Sequence, residues 1–462
     1  MITVLCLIAI AVGAAVFYVR PLWGLAALVA ALPFERIGGF ALNPAAGYPV
    51  VQPAQLVGAA LVAAVAARLI TRREHWQLSP TGWRRPSAVW WLVGLAAIAA
   101  VSAALIPYRQ VWIDFVSGLF VMTLCLAVAQ TAAAALNDNS EAARRRFFKL
   151  LLYGLFISAA AVCLFGLYQF VGDLLGLPVS LTGLRPQYTK AVFAFPRIQS
   201  TALEPLYFAN YLLLPLVVSL AAFITTKRRY FLGLFGLIAI TFTLTVSRGA
   251  VLGAVVALII LFMALRNSLN RKLWLRLGAA TLVIAVLVAG GLGIVSLTNP
   301  SQGSKAVTTF VGLFGANFNQ TGTLTDRLVA QRQAWDIFLE KPLIGHGVGG
   351  YTWRVLNYPA ARTGGERIIV NNEPLELLTE VGVLGTLAYL GFLVTLLWGG
   401  LRAGLRASDP ERRAWLVGLT AAIIAIWIQY LSFSGFFIVH IWVTYGLLLG
   451  FISAKTREDQ TA

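Results

Sequence analysis

Long apolar stretches recur along almost the whole chain, divided by short basic connectors, and this pattern leaves few folds open. Residues 151–167, 212–225, 279–297 and 383–398 are each long enough to reach across most or all of a bilayer's roughly 30 Å of hydrocarbon at about 1.5 Å per residue. Backbone polar groups in lipid must be met within the segment, so the segments are helices. Hydropathy places about thirteen of them, centred roughly at residues 10, 28, 60, 97, 123, 160, 214, 238, 258, 287, 387, 422 and 445, the second the least marked. Composition agrees, with 59% hydrophobic and 12% charged residues among 462, outside the range of soluble domains. The expected fold is an all-α polytopic membrane protein, with 1–462 a single integral membrane domain. The first twenty residues have no basic start and no small-residue cleavage site, and read as a retained helix rather than a secretory signal.

A net charge of +18 would suit nucleic acid if it were gathered on one soluble domain. Here the cations are dealt out between apolar runs and act as orientation signals. With Arg20 on the cytoplasmic side, so are Arg68, Arg72, Arg73, Arg84 and Arg85; Arg144, Arg145, Arg146 and Lys149; and Lys227, Arg228 and Arg229. The same side takes Arg266, Arg271, Lys272 and Arg276; Arg402, Arg406, Arg412 and Arg413; and Lys455 and Arg457, most of the 36 basic residues in all. The N-terminus then lies outside and the C-terminus inside. The outer side carries fewer cations over longer segments, including a large loop, 299–372, too long to be a mere connector. Cys6, Cys125 and Cys163 lie in apolar segments, without metal-ligand spacing, and are assigned to packing. No repeat or soluble domain is visible, so function belongs to the bundle and its outer loops.

Three outer places carry cations that orientation does not require. The segment LRPQYTKAVFAFPRIQSTALEPLYFANYL holds Arg185, Lys190, Arg197 and Glu204. In the hairpin TLTVSRGAVLG, Arg248 follows Thr243, Thr245 and Ser247 and precedes Gly249. An arginine there either snorkels to the interface or meets an anion. The large loop adds Arg327, Arg332, Arg354, Arg362 and Arg367. Within it a helix is expected near 326–340, lying on the membrane surface, with Leu328, Trp335 and Leu339 on one face. Arg332 and Asp336, four apart, fit an ordinary surface ion pair. The run Gly345-His346-Gly347-Val348-Gly349-Gly350 matches no complete phosphate loop, although its backbone N–H groups would allow close approach of an anion. Guanidinium forks in this number suit a multiply charged anion such as a pyrophosphate leaving group. His346 is the histidine placed beside this face, with a near-neutral pKa suited either to general-base work or to loop structure. Asn371, Asn372, Glu373 and Pro374 open the next helix, where capping accounts for them as well as chemistry does. Glu380, one turn below Glu376, is a costly residue to place in a membrane segment without a partner.

The order SRGA, then PLIGHGVGGY, then NNEPLELLTEVGVLG resembles the O-antigen ligase and O-antigen polymerase family of bacterial inner-membrane proteins, from Arg197 through Gly385. That resemblance implies a bundle similar to C-type glycosyltransferases, with a large periplasmic loop and no cofactor or metal. It implies a donor glycan on undecaprenyl pyrophosphate, passed with inversion to a hydroxyl of a glycan, lipid or protein acceptor, with membrane lipid as surroundings and no nucleic acid partner. Arg197 and Arg248 would hold the pyrophosphate, helped by Arg327 or Arg332. Ligases of the family show His-Asn, nine residues, Gly, two residues, Gly; here Asn371-Asn372 precede Gly382 and Gly385 at that spacing. With Asn371 in the histidine's place, Glu373, Glu204 or His346 substitutes, the acceptor is activated otherwise, or the chain is polymerase-like. Family ligases have about twelve helices with an inner N-terminus, an orientation that the second to thirteenth segments reproduce. A flippase or transporter of lipid-linked oligosaccharide is the rival from another class, but it predicts internal repeats and helices interrupted in both halves. A cell-shape glycosyltransferase that polymerises peptidoglycan shares the chemistry and the multi-pass bundle.

Overall fold

The computed structural model describes residues 2–34, 40–41, 50–72, 74–78, 88–106, 109–138, 140–193, 196–202, 204–269, 275, 323–356 and 368–454. The expected segment at 279–297 and most of the large loop, with Arg362 and Arg367, lie outside them. The helices are α1 (Ile2–Val19), α2 (Pro21–Ala31), α3 (Pro53–Thr71), α4 (Ala88–Ala104), α5 (Arg109–Leu136) and α6 (Glu141–Leu174). Two short turns follow, α7 (Val179–Thr182) and α8 (Lys190–Phe193), then α9 (Pro205–Thr226), α10 (Arg229–Leu244) and α11 (Arg248–Ala264). The last are α12 (Thr323–Glu340), α13 (Gly350–Val355), α14 (Glu373–Arg406), α15 (Pro410–Tyr430) and α16 (Val439–Ser453). Among the described residues, 6 helices are long and apolar enough to cross a membrane, and α1, α2, α4, α10, α11 and α16 are shorter apolar ones beside them. Phe40–Ala41 pairs antiparallel with Val50–Val51 in a two-residue ladder. The chain is an all-α polytopic membrane protein.

α9 is apolar on every face and buried on nearly every face, as a helix at a bundle's centre must be. It packs on α15, which also packs on α11. The basic residues collect at one end. Arg413 donates to the Ala264 carbonyl at 3.2 Å, Arg412 donates to Ala454 at 2.8 Å, and Arg228 pairs with Glu411 at 3.1 Å. Lys227 reaches the carbonyls of Ile224 and Ser268. Cations here meet the unsatisfied carbonyls and negative dipole ends of the helices, so they stabilise the ends they mark. The opposite end of α11 lies about 24 Å away at 1.5 Å per residue, and there the outer segments gather.

α14 is broken at Gly382, whose φ of 65° and ψ of −172° leave the helix. The break has a partner. Val383 N–H donates to the Pro342 carbonyl at 2.8 Å, Leu384 N–H to Leu343 at 3.1 Å, and His346 N–H to the Thr379 carbonyl at 3.0 Å. The segment after α12 is thus spliced into the gap. A β-carbon at Gly382 would fall 2.4 Å from the Leu343 carbonyl, and one at Gly345 would fall 2.4 Å from that of Glu380. Those two positions require glycine by both conformation and space. α12 begins three residues before the expected start and packs through Ala334 and Ile337 against Tyr351, Val355 and Val370. Leu328, Trp335 and Leu339 are exposed on its other side.

Candidate functional site: an arginine pair at the end of α11

The turn between α10 and α11 is short and bent. Thr245 ends α10, Val246 takes a left-handed φ of 51°, and Ser247 opens α11. A β-branched residue rarely adopts that conformation, so the turn is strained. The half-buried Arg197 lies over it, donating to the carbonyls of Thr245 at 3.3 Å and Val246 at 3.4 Å. Its guanidinium also sits 5.9 Å from the Tyr188 ring. Burial lowers the Arg197 pKa; the nearby Tyr188 opposes this, and the charge of Arg248 pushes it further down. Tyr188 in turn is raised by burial and by the carboxylate of Glu204, with Arg197 and Arg185 pulling the other way. Tyr188, Arg197, Glu204 and Arg248 therefore share one electrostatic neighbourhood. Glu204 is half-buried, and its carbonyl opens α9 by accepting from Phe208 N–H at 3.1 Å.

Residues 431–438, between α15 and α16, join this turn to the start of α14. Gly249 packs so closely on Ser432 that a β-carbon would lie 2.6 Å from its Oγ. On the other side, Asn372 N–H donates to Ser434 Oγ at 3.1 Å, and its side chain donates to the Leu431 carbonyl at 3.4 Å. The Asn372 carboxamide oxygen also caps α14 by accepting from Leu375 N–H at 3.0 Å. Glu373, 1% exposed, accepts from Gly435 N–H at 2.6 Å. Asn371 holds a left-handed φ of 58°, a conformation asparagine tolerates. Glu376 accepts from Val370 N–H at 2.8 Å, and Glu380 is buried. The first turn of α14 is thus organised by hydrogen bonds to neighbouring loops.

His346 has a different set of partners. Its Nε2 faces the Ile337 carbonyl at 3.0 Å and lies 3.8 Å from Glu340. Burial lowers its pKa, with the Ile337 carbonyl and Glu340 opposing. Arg354 makes a bidentate pair with the same Glu340, at 2.9 and 2.8 Å. On α12, Arg332 and Asp336 are exposed and form no ion pair among the described residues. Arg327 is half-buried there, its pKa lowered by burial. In the glycine run the N–H groups of Gly345, His346, Gly347 and Gly350 donate to Lys341, Thr379, Ser102 Oγ and Gly347. Those four donors are spent on the protein's own acceptors, and the run splices the break in α14.

A further buried chain was not legible in the sequence. The Asn210 amide donates to Gln429 Oε1 at 2.9 Å, leaving Asn210 Oδ1 to accept from His440 Nε2 at 2.8 Å. That arrangement fixes the tautomer of His440 and ties α9, α15 and α16 together. Asn210 lies 219 and 230 residues before its two partners, and no local pattern announces the chain.

Fold and site together define a polytopic membrane protein in which Arg197 lies over the turn that Arg248 follows, at one end of the bundle. Residues 232–390 match the family model described as O-antigen ligase; over that stretch, from α10 into α14, the chain is similar to that family. The matched stretch includes Arg248, Arg327, Arg332, His346, Asn371 and Glu373, whereas Arg197 and Glu204 precede it. No curated protein matches the chain.

Proposed function

We propose that this protein is a glycosyltransferase of the bacterial inner membrane that transfers or polymerises a glycan from an undecaprenyl-pyrophosphate donor at the periplasmic face. The observation that carries the reading is Arg197, held on the Thr245 and Val246 carbonyls of the turn that Arg248 follows, at the end opposite the basic connectors. Two guanidinium groups on one partly buried turn favour binding of an anion there. A diphosphate supplies it, and neutralising its growing charge lowers the barrier to departure. The acceptor oxygen bonds to the anomeric carbon with inversion, the carbon–oxygen bond to the pyrophosphate breaks, and the acceptor's proton passes to a base. Glu204 is the best placed base, because its carboxylate shares the neighbourhood of Tyr188 and Arg197 and stays partly exposed. Glu373 and Asn371 hold the rim of the site, and His346 holds α12. Arg327 and Arg332 assist from α12, whose exposed Leu328, Trp335 and Leu339 rest in the interface. The cytoplasmic side is assigned to the basic end by the orientation rule.

Incubating the purified protein with a glycan on a lipid pyrophosphate, in the presence and absence of a chelator, tests this directly. Product growth indifferent to chelation is the expected outcome. Movement of the lipid across a vesicle membrane without glycan transfer would replace this reading by the flippase one.

A further inference from the structure

The residue that opens α11 has a hydroxyl with nothing to do. Ser247 stands where a serine ordinarily caps its own helix, yet its side chain caps nothing. It is 2% exposed, and its Oγ has no hydrogen-bond partner among the described residues. Buried hydroxyls are seldom left unmet. Just beyond it, the N–H groups of Gly249 and Ala250 fall in the first turn of a 17-residue helix, where no intrahelical acceptor exists.

The charge at this end is also inverted. First turns favour carboxylates because the helix dipole is positive there; α11 has no acidic residue in its first turn and begins with Arg248. Arg197 adds a second cation across the turn. The unmet Ser247 hydroxyl, the dipole and the two guanidinium groups all favour an anion here. Val246, left-handed between Thr245 and Ser247, keeps the turn in this conformation.

We propose that Ser247 Oγ, with the N–H groups of Gly249 and Ala250, is a phosphate-binding element that receives one phosphate of the donor's pyrophosphate while Arg197 and Arg248 neutralise it. This assignment rests on the donor reading above and adds a residue to it. Ser247 donates its proton as a hydrogen bond, and no covalent bond changes. The prediction is selective: the hydroxyl contributes to the liganded protein and nothing to the empty one.

Thermal shifts of the full-length protein in detergent test it, with a short-chain polyprenyl pyrophosphate, the matching monophosphate and inorganic pyrophosphate as probes. Ser247→Ala should leave the melting temperature of the empty protein unchanged or raised, since an unmet polar group is removed. It should weaken binding of the polyprenyl pyrophosphate about tenfold, the worth of one hydrogen bond to a charged group, and Ser247→Thr should restore part of that. A larger loss for both pyrophosphates than for the monophosphate identifies the diphosphate, and a loss confined to the polyprenyl probe identifies the lipid-linked form. Unchanged affinity in Ser247→Ala, or a lowered melting temperature without ligand, overturns the assignment and leaves the donor reading intact. If the wild-type protein binds none of the three probes, the donor reading itself fails.

Discussion

Two outer regions are rich in the residues that bind anions, and the structure treats them in opposite ways. In the Pro342–Gly350 segment, glycines and a histidine are consumed internally: N–H groups donate to Lys341, Thr379 and Ser102, and the His346 ring meets the Ile337 carbonyl. At the α10–α11 turn, Arg197 lies over the carbonyls just before Arg248 and a buried serine hydroxyl is left over. The lesson is that binding capacity is measured by what remains after the protein has satisfied itself. Glycine-rich backbone whose donors go largely to the protein's own acceptors serves as a splice, whereas a buried hydroxyl left without a partner is a candidate for a ligand.

Substitutions can break this contrast. The largest effect is expected at the turn: Arg248→Ala and Arg197→Ala should each lower glycan transfer by about 10²–10³, the usual loss for a group that stabilises developing charge, while the protein stays folded by melting temperature. Arg332→Ala, on the exposed face of α12, should cost far less, and an equal loss would merge the two regions. Next comes Glu204→Gln, expected to reduce turnover by about 10² with little change in donor affinity; Glu373→Gln should instead lower the melting temperature, since its carboxylate accepts from Gly435 N–H. Should activity survive in Glu204→Gln, proton removal belongs elsewhere.

The splice predicts losses of stability. Gly382→Ala forces a side chain against the Leu343 carbonyl in a left-handed conformation and should destabilise the outer half of α14 by about 1–3 kcal/mol, read by hydrogen exchange across 373–381. A smaller effect is expected from pH. Burial depresses the His346 pKa below its ordinary 6.5, so the unfolded chain takes up a proton that the folded one refuses. Stability is therefore present in full above about pH 6.5 and falls as pH drops below it, levelling off under the depressed folded value. His346→Gln should flatten that acid-side decline in the melting temperature. Smallest of all, Arg354→Ala removes a partly exposed pair with Glu340 and should cost about 1 kcal/mol or less.

Most spans were readable because apolar length alone demands them, and among the connector cations Arg228, Arg412 and Arg413 meet acceptors on neighbouring helix ends. Arg197 and Arg248 were readable as cations placed where orientation had no need of them. The splice made by the glycine run was not readable, because local sequence shows a backbone's freedom but not its acceptors, and Thr379 and Ser102 come from α14 and α4. Ser247 was visible as a residue of the hairpin, but its unmet hydroxyl is a property of packing. The Asn210, Gln429 and His440 chain depends on three helices arriving at one depth.

The severed α14 has a mechanical consequence. An unbroken rod fixes the direction of its tip by the tilt of its shaft. With the joint at Gly382 clamped by residues 342–346, the tip bearing Glu373, Glu376 and Glu380 takes its bearing from α12 and α13 instead. Whatever shifts α12 thereby re-aims the Glu373–Val381 tip while the shaft stays still.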